Sequence, residues 1–247
     1  MKLTILGCGD AFGSGGRLQT SYHVEARNHT FLIDCGASTL IGLNRFGLTA
    51  NAIETVFVSH LHGDHFAGLV WMMLHGQHIS KRTAPLTVVG PATIKDRFVT
   101  AAEALFPGST KIKPRFEIQF QEYTKEVPLT VKGTTVTAYE VSHPSGAMSC
   151  ALRVVADGRT IAFTGDTEWV ESLVPAGKDA DLYIMECFEF EGPTRYHLDW
   201  LTIAKNLPRI GARKILLTHM NDRMLARRNE AAEAGAMLAD DGLVITI

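Results

Sequence analysis

The sequence predicts an α/β fold in which two mixed β-sheets lie face to face with helices on their outer sides. Three observations point there. Apolar runs of strand length alternate with helix-like stretches along all 247 residues, and the strands are joined both by tight turns and by helices. No internal stretch rich in Pro or Gly marks a boundary, so residues 1–247 read as one domain, long enough for a sizeable core. Chemistry-bearing residues recur at the ends of the apolar strands, where groups distant in sequence can converge.

The apolar fraction of 46% and charged fraction of 20% are those of an ordinary soluble globular protein. A net charge of −2 offers no general attraction to polyanions, so nucleic acid would need a local basic patch and is not favoured. No stretch approaches the ~18 apolar residues of a membrane span. The N-terminal Met1-Lys2-Leu3-Thr4-Ile5-Leu6-Gly7 is a short strand-like run without the core or cleavage site of a signal peptide. Cys8, Cys35, Cys150 and Cys187 form no C-x-x-C pair and read as buried thiols of a reducing cytoplasm.

In chain order, residues 2–6, 21–25 and 30–33 read as strands. Between the first two lies a glycine-rich loop, 7–17, which lacks the Gly-Lys-Ser/Thr ending of a phosphate-binding loop and is expected to be a flexible loop at the mouth of a site. Asn28-His29 reads as a hairpin turn with His29 solvated, while His23 lies within a strand as a structural residue. Asp34 ends a buried strand. It either caps a helix over 37–46 or holds a metal ligand by accepting its second N–H. Residues 54–58 form the next strand. A helix over 66–78 follows, with Leu69, Val70, Met73 and Leu74 on one face and Met72 and Met73 as core filler; His75 and His78 are a solvated or hydrogen-bonded pair.

A strand over 86–89 and a helix over 93–105 precede two stretches, 116–123 and 134–141, whose alternation is that of half-buried antiparallel strands. Residues 149–155 and 160–163 make a hairpin about Asp157-Gly158. A strand over 181–185 leads to Glu186, a helix over 198–207 follows His197, and strands over 214–217 and 243–247 complete the chain.

The sharpest signal is Ser59-His60-Leu61-His62-Gly63-Asp64-His65, which directly follows the apolar Val56-Phe57-Val58. Neutral imidazole and carboxylate suit zinc and its first-row neighbours. Extended backbone would point His60 and His62 the same way, and a turn at Gly63 would swing Asp64 and His65 toward a second ion. His143, Asp166 and His219 each follow an apolar strand as well. Any one of them alone is an ordinary strand-end residue; together with the loop they supply enough donors for two metals.

These strings resemble the metallo-β-lactamase superfamily in its ribonuclease Z-like branch. Residues 59–69, SHLHGDHFAGL, are similar to its signature motif; residues 31–36 are similar to its strand-Asp-Cys-Gly motif, 164–167 to its T-G-D-T motif and 217–219 to its last-histidine motif. The resemblance implies an αββα sandwich and two Zn²⁺, with Mn²⁺ or Fe as substitutes. It places His60, His62 and His143 on one ion, Asp64, His65 and His219 on the other, Asp166 between them, and Asp34 in support of the loop. It counts Asp64 and His197 as catalytic, His197 stabilising the phosphate or protonating the leaving group; the competing reading of His197 is a neighbour of a helix cap. It also implies a homodimer.

Two divalent ions about 3.5–4 Å apart can share a hydroxide, activate it near neutral pH and clamp the oxygens of an in-line displacement. The expected activity is therefore a metal-dependent phosphodiesterase acting on a small or cyclic phosphodiester, such as a cyclic nucleotide or cyclic sugar phosphate. Ser145 and Ser149 would add hydroxyl donors or serve only the turn. The tRNA-processing endoribonuclease of the branch carries a long arm between the positions matching His143 and Asp166, and residues 144–165 leave no room for it. A lactone or ester hydrolase on the same metals, a tRNA 3′-processing-type endoribonuclease, and a metal-binding sensor without turnover are the remaining alternatives.

Overall fold

The computed structural model describes residues 1–192 and 194–247. The chain first lays down β1 (Lys2–Gly7), β2 (Ser21–Glu25), β3 (Thr30–Ile33), β4 (Thr55–Phe57), β5 (Leu86–Gly90) and β6 (Ile118–Glu122). It then builds β7 (Leu129–Val131), β8 (Thr134–Val141), β9 (Ser149–Ala156), β10 (Arg159–Phe163), β11 (Leu182–Glu186), β12 (Ile215–Thr218) and β13 (Met237–Leu238), and β14 (Val244–Thr246) returns to the first set. The helices are α1 (Thr39–Arg45), α2 (Gly63–Phe66), α3 (Gly68–His78), α4 (Ile94–Leu105), α5 (Leu173–Gly177), α6 (Trp200–Ile210) and α7 (Asp222–Glu233).

Two seven-stranded sheets result, ordered β14-β1-β2-β3-β4-β5-β6 and β13-β12-β11-β10-β9-β8-β7. Each contains three antiparallel pairings followed by three parallel ones, so the second sheet repeats the plan of the first. Strand alternation sorts the side chains. Phe31 and Ile33 of β3 meet Leu182 and Ile184 of β11 in one core between the sheets. Leu32 faces outward under α1 and α3, while Tyr183 and Met185 face outward under α5, α6 and α7. Strands buried on both faces read as continuous apolar runs, which is why β4, β5, β11 and β12 are legible. The architecture is the αββα sandwich.

Several local expectations need correction. Residues 116–123 alternate in burial, yet β6 pairs with β5 in parallel, Leu86 opposite Ile118. The intervening α4 returns the chain to the same end of the sheet, and the alternation reports only that an edge strand has one wetter face. The helix over 66–78 is divided into α2 and α3 at Ala67. The helix after His197 continues through Pro208 to Ile210 and stops at Gly211, whose φ of 70° suits glycine. Helix α7 was not expected; its signals are the Asn221 side chain accepting the Met224 N–H at 2.9 Å and the Arg227–Glu230 pair one turn apart. The short β7, α5 and β13 were also not expected. The hairpin between β9 and β10 turns at Asp157 and Gly158, both with positive φ, as the sequence predicts.

His29 is not solvated. It is 3% exposed, its Nδ1 lies 2.7 Å from Thr134 Oγ1 and its Nε2 lies 2.8 Å from Thr55 Oγ1. The turn before β3 lies against the second sheet, so this imidazole joins β4 of one sheet to β8 of the other. His29→Ala would leave two buried hydroxyls unpaired and a void beside Phe31 and Phe57. We expect a loss of about 2–4 kcal/mol in urea unfolding, with metal content unchanged.

Candidate metal centre and active site

The site is made of strand ends. Asp34 follows β3, His60 follows β4, His143 follows β8, Asp166 follows β10, Glu186 ends β11 and His219 follows β12. The parallel strands of both sheets open toward one cleft, the usual place for chemistry in such sheets. Two close backbone approaches hold the loop after β4 against the exit of β3. A Cβ at Gly36 would meet the Asp64 carbonyl oxygen at 2.3 Å, and one at Gly68 would meet the Gly36 carbonyl oxygen at 2.2 Å, so both positions require glycine. The Cys35 N–H donates to the His65 carbonyl at 2.7 Å, and the Gly68 N–H donates to the Cys35 carbonyl at 2.9 Å.

All seven predicted ligands come together. Donor atoms of His60, His62 and His143 lie within 4.8 Å of one another, as do those of Asp64, His65, Asp166 and His219. His143 Nε2 faces His62 Nδ1 at 3.0 Å. His65 Nε2 and His219 Nε2 each lie 3.3 Å from Asp64 Oδ2. Asp166 stands between the groups: Oδ1 is 3.3 Å from His65 Nε2, and Oδ2 is 3.3 Å from His219 Nε2 and 3.9 Å from both His60 Nε2 and His143 Nε2. Donors bound tetrahedrally to zinc sit roughly 3.4 Å from one another, so these spacings suit divalent cations.

Hydrogen bonding turns the lone pairs inward. His65 Nδ1 donates to Asp34 Oδ2 at 2.6 Å, and His143 Nδ1 donates to the Tyr196 carbonyl at 3.0 Å. Ser59 Oγ donates to Asp34 Oδ2 at 2.7 Å and is therefore free to accept from His60 Nδ1 at 3.0 Å. Each ring so fixed presents Nε2 to the cleft. Among the described residues, the buried His60 Nε2, His65 Nε2 and Asp166 Oδ1 have no hydrogen-bond partner. Leaving three such atoms unpaired is costly in the absence of a cation. The donor set is that of a divalent-metal site.

The charges divide the site. Burial pushes the His60 imidazolium far down, with His65 adding to the effect, and burial brings His143 down to about 4; both rings are neutral and able to coordinate. Burial also opposes charge at His219, but Asp166 and the hydrogen bond to Asp64 outweigh it and raise the ring to about 9. Burial likewise opposes charge at His65, and Asp166, Asp64 and Asp34 outweigh it there. Three carboxylates thus crowd one half of the cleft and favour positive charge beside them, the kind of charge a divalent cation would supply.

Asp34 does not cap α1; Ser38 occupies that position. Its carboxylate instead takes His65 Nδ1–H, the Ser59 hydroxyl and the Ser59 N–H, the last at 2.6 Å. His197 stands two residues before Asp199, the cap of α6, and is also drawn into the cleft. Its Nδ1 lies 3.1 Å from Glu186 Oε2, and Glu186 also accepts the Thr167 N–H at 2.5 Å. Sequence reasoning missed Glu186; the available signal was a carboxylate closing a fully buried strand, as Asp34 does. Ser145 and Ser149 bond to each other at 2.8 Å, and Ser149 donates to the His143 carbonyl at 2.7 Å, so they set the turn. His23 is buried in β2, and His75 and His78 lie on α3, outside the cluster. All four cysteines are buried free thiols, with Cys8 against Asp241 and Cys187 against Met224.

Ala11, Phe12, His62, Asp64, His143, Asp166, Phe188, His197 and His219 enclose a cavity of about 200 Å³. The loop expected at the mouth is there, held by the buried Asp10, whose carboxylate accepts from the Phe12 and Ser14 N–H groups. A larger apolar hollow between α3, α4 and β6 contains none of these residues.

The model of the family described as Anti-Pycsar protein Apyc1 matches residues 1–241. The chain belongs to that family. It is 28% identical over 228 residues to the probable metallo-hydrolase YhfI of Bacillus subtilis, covering 89% of this chain and 87% of that one. The fold of YhfI superposes with a TM-score of 0.79 at 24% identity over 99% of both chains, and its crystal structure is described as a metallo-β-lactamase fold. The short form of human tRNase Z also gives 0.79 at 24% identity, covering 100% of this chain and 99% of that one. A diphosphatase of the PhnP family gives 0.79 at 18%, covering 100% and 97%. The metallo-β-lactamase fold thus accounts for the whole architecture, and the family's His/Asp cluster is the feature that fits a divalent metal.

Removing the Asp34 carboxylate would release the tautomers of His60 and His65 together. Asp34→Ala is expected to weaken metal affinity about 10–100-fold, read by competition with a chromophoric chelator, while the fold is retained by circular dichroism.

Proposed function

We propose that the protein is a phosphodiesterase with two divalent ions, zinc by default, acting on a small or cyclic phosphodiester. His60, His62 and His143 would hold one ion, Asp64, His65 and His219 the other, and Asp166 would join them. When bound, the ions supply Lewis acidity and an activated water.

The observation that carries this reading is His197, which lines the same cavity and is held from behind by the buried Glu186. His197 stacks on Phe188 at 4.7 Å and lies nearly parallel to His219 at 5.7 Å, so its plane is fixed. Burial opposes its charge, but the hydrogen bond and charge of Glu186 outweigh it and hold the ring above its ordinary value. With Nδ1–H on Glu186, the opposite nitrogen is the one free to give a proton to a departing oxygen. An imidazolium also meets the negative charge that a phosphoryl centre gathers on the way to products. A neutral ester or lactone makes less use of so much positive charge.

Substrate size follows from the β9–β10 hairpin. Residues 144–165 hold only that hairpin and its approach, with no tRNA-gripping arm. Similarity to a human tRNase Z and to a PhnP-family diphosphatase favours phosphate chemistry, and the small cavity favours a small phosphodiester.

Metal-quantified protein should hydrolyse bis-(p-nitrophenyl) phosphate and lose that activity on chelation; turnover of a lactone or carboxyl ester alone would instead establish the ester-hydrolase reading. His197→Ala should lower kcat by roughly 10²–10⁴-fold with metal content near normal. Asp64→Ala should abolish turnover and lower metal content, measured by atomic emission.

A further inference from the structure

We infer that Phe12 is a specificity-determining residue, the stacking platform for a planar aromatic substituent such as a nucleobase on the phosphodiester substrate. The inference rests on the phosphodiesterase reading of the metal cleft and adds what lies outside it.

Phe12 is 85% exposed, the most exposed of the large apolar side chains among the described residues, yet it lines the cavity that contains His62, Asp64, Asp166 and His219. An aromatic ring left in water forfeits the burial that ordinarily rewards it, and the loop cannot fold it away. Asp10, 1% exposed, accepts from the Phe12 N–H at 3.1 Å, the Ser14 N–H at 2.9 Å and the Ser14 hydroxyl at 2.7 Å. On the far side of the tip, the Gly15 N–H donates to Asp222 at the start of α7 at 3.2 Å. The ring is therefore presented at the mouth by a turn anchored at both ends.

The cavity volume indicates what the ring receives. About 200 Å³ falls below the roughly 300–1,000 Å³ of sites that enclose a whole small ligand. The reacting phosphate and the atoms next to it occupy the cleft, and the rest of the substrate projects past the mouth, where Phe12 stands. Among the described residues, no charged side chain lines the cavity beyond the metal cluster and His197. The exposed face of Phe12 supplies dispersion and π-stacking without hydrogen-bond readout, so it would accept any nucleobase and distinguish nucleotides from phosphodiesters with no aromatic group.

The test compares a nucleoside cyclic phosphate with the same cyclic ribose phosphate lacking its base, using wild type, Phe12→Ala and Phe12→Trp with quantified metal. The preference for the nucleoside substrate, as a ratio of kcat/KM values, should fall roughly ten-fold or more in Phe12→Ala and recover in Phe12→Trp, the loss appearing in KM. Calorimetric binding of a nucleoside monophosphate, set against ribose phosphate, should show the same loss. An unchanged preference overturns the inference. So does a change in mass by light scattering in Phe12→Ala, because Phe12 would then be covered by a second copy of the chain. If wild type turns over neither substrate, the phosphodiesterase reading fails separately, and calorimetry alone decides whether Phe12 stacks on the base.

Discussion

The Asp34 carboxylate is the interaction on which the metal cleft depends. It is fully buried, and three donors converge on it: the Ser59 N–H, the Ser59 hydroxyl and His65 Nδ1–H. Burial raises its proton affinity, while His65 and the Ser59 donors lower it. These bonds set the path of the chain from β4 into the histidine loop and fix the tautomer of His65. Through the Ser59 hydroxyl they fix that of His60 as well. One carboxylate thus orients ligands in both halves of the cluster. A divalent site is only as well formed as the groups that aim its ligands.

The two sheets divide the remaining work. The first supplies Asp34 and the loop carrying four donors, His60, His62, Asp64 and His65, at consecutive strand ends. The second supplies His143, Asp166, Glu186 and His219 from β8, β10, β11 and β12. Neither sheet holds a full set, so the core between them also aligns the site. Tyr22 shows the link directly. It lies in β2 of the first sheet, and its hydroxyl is 2.8 Å from Thr218 Oγ1, the residue before His219 in the second.

The residues that converge on the cleft were legible in the sequence because metal chemistry needs particular residue types, and those residues stand after apolar runs that could only be buried strands. Parallel strands such as β11 and β12 were legible for the same reason. What escaped depended on partners far away in sequence. His29 sits in a turn, and nothing nearby in the chain shows that Thr134 will close over it from the other sheet. The parallel pairing of β6 is a property of the crossover and not of its own alternation. Helix α7 is polar over most of its surface, and its stability comes from a cap and ion pairs that apolar periodicity does not register. Glu186 carries the same strand-end signal as Asp34, but only the fold brings His197 to it.

Backbone strain marks the same place independently of residue chemistry. Nine residues other than glycine have positive φ among the described residues. Lys81, Thr93, Glu126, Lys132, Asp157 and Asp179 are exposed, where a turn tolerates such a conformation. The other three are Asp34, Tyr196 and His219, with φ of 57°, 67° and 57°. Each lies at the metal cleft, buried or half-buried. Asp34 and His219 directly follow buried strands, so the left-handed step turns the chain at the strand end. At Tyr196 it accompanies the carbonyl that receives His143 Nδ1–H. Such a conformation costs about 1–2 kcal/mol per residue, and glycine would relieve it. At positions 34 and 219 glycine would also remove the group the cleft requires. The surrounding bonds, Asp34 N–H to the Phe57 carbonyl at 2.8 Å and His219 N–H to the Cys8 carbonyl at 2.9 Å, are what hold these backbones against that cost. Of the nine, the three that are not exposed all converge on one cluster, which is what a site selected for ligand placement would show, and a fold selected for stability alone would have no reason to keep buried strain there.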